Sequence, residues 1–124
     1  MIYLHNKHTL KTFETNNQIV EIGERIFEGI PLQTIILSTS IKTINERAFY
    51  NNHQLQTLYI PGNVGMIKEY AFAFNDNLEE VIILSNKIVL EKGVFYGCNK
   101  LKKIIIASEE IISKEKVFEK HWFN

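Results

Sequence analysis

The sequence predicts a mostly β solenoid, coiled from a unit of about 23 residues, and three observations carry that reading. Phenylalanine recurs at Phe27, Phe49, Phe72, Phe95 and Phe118, at intervals of 22, 23, 23 and 23 residues. Other apolar positions hold the same phase: Ile22, Ile44, Ile67 and Leu90 lie before each Phe, and Leu32, Leu55, Leu78 and Leu101 lie after it. A short stretch with strand-like alternation closes each unit, at Ile35 and Leu37, Leu58 and Ile60, Val81 and Ile83, and Ile104 and Ile106.

The units follow in order along a single domain, residues 1–124. A partial unit spans 1–18, where Leu10 and Phe13 match Leu32 and Ile35. Repeats run over about 19–40, 41–63, 64–86 and 87–109, and a partial unit or cap fills 110–124. No unit is large enough to bury its own apolar side. Stacking solves this by placing equivalent side chains about 4.8 Å apart, the spacing of paired strands. Every unit crosses the stack in the same direction, so the paired strands form a parallel sheet. In the unit beginning at Ile41, Leu58 and Ile60 point inward and Tyr59 outward. The Phe residues form a buried ladder, and the polar run from Asn51 to Gln54 makes a tight turn. Two departures mark the later units. Lys87 stands where Ile41 and Val64 stand, so Ile88 fills that place by a local shift, and Ser113 replaces an expected Ile. His121-Trp122-Phe123 is either a degenerate cap or the start of a unit cut short, since Asn124 falls where the next Leu belongs.

The run Ala48-Phe49 followed by Leu55-x-x-Leu58-x-Ile60-Pro61 resembles the leucine-rich repeats of the BspA-like, or Treponema pallidum, type. Val94-Phe95-Tyr96-Gly97-Cys98-Asn99-Lys100-Leu101 is similar to the family's Phe-x-x-Cys-x-x-Leu run. The resemblance covers about Leu10 to Phe118. It implies a leucine-rich-repeat solenoid, with a parallel sheet on one side and turns and short helical segments elsewhere. It further implies a surface or secreted protein that binds host or bacterial partners.

Composition narrows the function classes. Lys+Arg and Asp+Glu are both 14, so the chain lacks the basic excess that phosphate backbones demand, and nucleic acid is not expected as a partner. The longest apolar runs, Val81 to Leu84 and Ile104 to Ala107, fall far short of the roughly 20 residues that cross a bilayer. Residues 1–10 lack the apolar core of a signal peptide. Cys98 is the single cysteine, so it has no disulfide partner within the chain, and it takes the turn position held by Asn52 and Asn75. His5, His8, His53 and His121 lack metal-ligand spacing, and no cofactor or metal is expected. Glu79-Glu80 and Glu109-Glu110 are adjacent pairs whose members point to opposite faces of a strand, a poor arrangement for shared acid–base work. Lys100, Lys102 and Lys103 make a small basic cluster that Glu79, Glu80 and Glu91 balance from one coil away. None of these patterns assembles a catalytic site, and an enzyme is not expected.

The repeat phase does set one column on the outer face of the sheet: Ile36, Tyr59, Ile82 and Ile105. Thr34, Thr57, Glu80 and Lys103 run beside it. An apolar column edged by polar residues reads as a partner-binding stripe, or as the ordinary preference of β-branched residues for exposed strand positions. The expected function is a protein-interaction module acting in cell-surface adhesion or partner recognition through this face. The alternative is a structural element that self-assembles into homo-oligomers through its incomplete terminal units.

Overall fold

The structure, a computed structural model, describes residues 9–107, 110–114 and 116–118. Ten short strands wind through it: β1 (Thr12–Glu14), β2 (Glu21–Ile22), β3 (Thr34–Ile36), β4 (Thr43–Ile44), β5 (Thr57–Ile60), β6 (Met66–Ile67), β7 (Glu80–Ile83), β8 (Lys87–Leu90), β9 (Lys103–Ile106) and β10 (Glu110–Ser113). Strands β5, β7 and β9 pair in parallel, with Tyr59 opposite Ile82 and Ile82 opposite Ile105. Strands β1 and β3 continue the same side as a two-stranded parallel sheet. The polypeptide is therefore a solenoid, each coil one repeat long.

A second parallel sheet, in the order β10-β8-β6-β4-β2, lines another side. The sequence did not announce it, because strands such as Thr43–Ile44 and Met66–Ile67 are too short to show alternation. Its inner column is Ile22, Ile44, Ile67 and Leu90, at most 1% exposed. Ser113 takes the next place, opposite Leu90. Ile88 is buried and Lys87 exposed, so the local shift at the start of that unit is real.

Turns form the side between the two sheets, and they too are bonded from coil to coil. The N–H groups of Arg47, Phe49 and Asn51 donate to the carbonyls of Glu69, Ala71 and Ala73. Those of Tyr70, Phe72 and Phe74 donate to Lys92, Val94 and Tyr96. Intervening residues bond within their own coil, Ala48 to Asn45 and Tyr50 to Arg47, so the expected short helical segments take the form of single i→i+3 turns. This alternation satisfies backbone groups that burial would otherwise leave costly.

The core runs the length of the stack. Phe27, Phe49, Phe72, Phe95 and Phe118 lie face to face, with ring centroids 5.5, 5.1, 5.8 and 5.5 Å apart and interplanar angles of 16° or less. Beside them sits a polar column. Asn52 donates to the Leu32 carbonyl at 2.8 Å, and Asn75 to those of Phe49 and Phe72 at 2.9 and 2.8 Å. Cys98 occupies the third place, its thiol 3.3 Å from the Phe72 carbonyl. Its burial at the turn is the place the repeat phase assigned to it.

Candidate functional site

Alternation along β3, β5 and β7 sends every second side chain out of the core, while on β9 both Ile105 and the expected inward Ile106 are exposed. Leu58 and Ile60 are fully buried while Tyr59 between them is 47% exposed. Ile36 and Ile105 are similarly exposed, at 46% and 42%, and Ile82 is half-buried. Tyr59, Ile82 and Ile105 share one register. Ile36 lies on the neighbouring two-stranded sheet, opposite Glu14, so the hydrogen-bonded part of the column is three residues long.

The flanking column is placed by the same geometry. Thr34 and Thr57 are exposed, and Thr57, Glu80 and Lys103 stand opposite one another in register. The Lys103 ammonium lies 3.7 Å from the Glu80 carboxylate. One residue earlier, Lys102 donates to Glu79 at 2.8 Å. That hydrogen bond, with the charge behind it, holds the Glu79 carboxyl below its ordinary value and Lys102 above its own. Both groups are solvent-exposed, so the pair shapes the edge of the face and adds little to stability. Lys100 donates instead to the Asn77 side-chain oxygen at 2.8 Å, and Glu91 forms no ion pair with the lysine cluster among the described residues.

Other candidates resolve plainly. The His53 ring lies 2.7 Å from Asp76 at an exposed corner. Among the described residues no three His, Cys, Asp or Glu side chains group to hold a metal ion, and no helix is long and apolar enough to cross a membrane. His5, His8, Glu109, His121 and the segment Trp122 to Asn124 lie outside the described residues, as does much of both terminal units.

Sequence reasoning missed two surfaces. Met66, Val89 and Ile112 form an outward apolar column on the second sheet, opposite one another in register. The turn side carries a cluster of Arg47, Tyr50, Tyr70, Phe74, Tyr96 and Lys116 around a hollow of about 330 Å³. Its signal was in the phase: Arg47, Tyr70 and Lys116 are equivalent positions, as are Tyr50 and Tyr96. A larger hollow, of about 650 Å³, is lined by residues such as Gln18, Val20 and Ile26, all from one early coil.

A stacked parallel coil with inward Leu and Ile columns and a buried Asn–Cys turn position defines a leucine-rich-repeat solenoid, a repeat scaffold rather than a catalytic fold. The model of the BspA type leucine-rich repeat region matches residues 3–122 in six copies. The chain belongs to that family. No curated protein and no solved structure matched.

Proposed function

We propose that this protein is a recognition module of a cell-surface or secreted protein, and that it grips a protein partner with the outer face of the β5-β7-β9 sheet. Residues 1–124 act as one repeat domain on this reading. The family supports protein interaction as the general role of such a scaffold. The carrying observation is the column Tyr59, Ile82 and Ile105, apolar, in register and accessible, on parallel strands of which the central one, β7, is paired on both sides. Aromatic and branched apolar side chains on a rigid platform supply contact area at low entropic cost. The Glu80–Lys103 and Glu79–Lys102 pairs beside them form a charged rim.

Selection from a displayed peptide library against the wild-type chain supplies the probe. Peptides that bind the wild type are expected to lose at least about tenfold in affinity for Tyr59→Glu and Ile82→Glu, the scale of one buried anchor. Both positions face outward, so the variants keep the wild-type circular dichroism spectrum and a cooperative melt. Undiminished binding by the folded variants would move the site to another face.

A further inference from the structure

We propose that the hollow on the turn side binds a carboxylated sugar residue, a hexuronate unit of an acidic saccharide. Its walls come from successive coils: Arg47 and Tyr50 from one, Tyr70 and Phe74 from the next, then Tyr96 and Lys116. Phe74 meets Tyr50 and Tyr96 edge-on, at centroid distances of 5.4 and 5.7 Å. The Arg47 guanidinium lies 5.0 Å from the Tyr50 ring centre and 5.6 Å from that of Tyr70. Among the described residues neither Arg47 nor Lys116 has a carboxylate within ion-pair distance, and the buried Arg47 Nε has no hydrogen-bond partner. The Tyr50, Tyr70 and Tyr96 hydroxyls likewise have no hydrogen-bond partner among the described residues. The hollow therefore offers two unmatched cations, three free hydroxyls and several ring surfaces.

Backbone conformation sets how the walls of the hollow are built. Arg47, Tyr70 and Phe74 have φ of 54°, 58° and 58°, a region that bulky residues rarely occupy. The equivalent positions one coil on from Tyr70 and Phe74 are Gly93 and Gly97, which adopt the same sign of φ without strain. Those glycines also make room, because a Cβ on either would collide with the Tyr70 or the Phe74 ring. Arg25, Arg47, Tyr70, Gly93 and Lys116 share this left-handed position coil after coil, so the conformation belongs to the fold, and it is the Tyr70 and Phe74 rings lying over the glycines that shape the hollow.

The chemistry selects the ligand. A sugar ring presents apolar C–H faces to the aromatic rings and hydroxyls to the tyrosines, while its carboxylate answers Arg47. A neutral sugar leaves Arg47 unmatched. An acidic peptide could meet the tyrosine hydroxyls through its backbone but brings no ring of C–H faces to stack on the aromatic walls.

The test titrates the 124-residue chain with a glucuronate-containing disaccharide and follows backbone amide shifts by NMR. Saturable shifts are expected around Arg47, Tyr70 and Gly93. Affinity should fall at least about tenfold for Arg47→Gln, and by a similar factor for a neutral glucose disaccharide, the loss of one charge-assisted contact. Tyr70→Gly, which installs the residue its own neighbour uses, should weaken binding in a chain whose spectrum is otherwise unchanged. Ile82→Glu should bind the disaccharide like wild type, which separates this site from the sheet face. No saturable shift in the folded protein, equal affinity for the neutral disaccharide, or tighter binding of a glutamate-rich peptide would each overturn the proposal.

Discussion

Phe72 is held between Phe49 and Phe95, with ring centroids 5.1 and 5.8 Å away, and it is wholly buried. Removing its ring opens a void that two neighbouring coils cannot both collapse to fill. Phe72→Ala should therefore destabilise the chain by about 3–5 kcal/mol, measured by denaturant unfolding. A loss under about 1 kcal/mol would place the ring at the surface instead. The ladder was legible in the sequence because one residue type repeats at a fixed interval. So was the Cys98 position, since its phase matches Asn52 and Asn75. The hydrogen bonds of that column were not legible. They depend on which carbonyls come within reach, and the Asn75 amide reaches Phe49 on the preceding coil and Phe72 and Ala73 on its own, while that of Asn52 reaches Leu32.

At the scale of elements, the three sides of a coil differ in how readable they are. The β5-β7-β9 side has four-residue strands, and their alternation gave the inward residues of β5 and β7 and the outward Tyr59, Ile82 and Ile105, but it fails at the end of β9, where Ile106, in the place of Ile60 and Ile83, is 44% exposed. The second sheet has strands of two residues in its central coils, too few for a period to emerge. The turn side follows neither helical nor strand periodicity. Its residues bond alternately within and between coils, and its left-handed positions hold Arg, Asn, Tyr, Phe and Lys as well as Gly. A bulky residue gives no sequence-level sign of positive φ, so the aromatic hollow was hidden even though its members are in phase. Gly93 shows how tightly that side is built, with φ of 67° and the Tyr70 ring lying against it. Gly93→Ala should cost about 2 kcal/mol or more, from the left-handed backbone and from displacement of the ring. Thermal melts of Gly93→Ala beside Gly65→Ala, where an added Cβ meets open space, would expose the difference.

Over the whole molecule, stability is shared between neighbours. Each coil contributes one rung to every ladder, and none has a core of its own. The surfaces inherit this dependence. Tyr59, Ile82 and Ile105 come from three coils, and the aromatic hollow likewise spans several. Either surface exists only while coils stay in register, so the coil-to-coil stack is the claim on which fold and function both stand. Selective ring labelling of phenylalanine with NOE spectroscopy measures it directly. Phe72 ring protons should show contacts to the rings of both Phe49 and Phe95, 23 residues away on either side, and none of the three should be reached by a soluble paramagnetic probe. Rings that lack these contacts and relax in the presence of the probe would contradict the stacked coil.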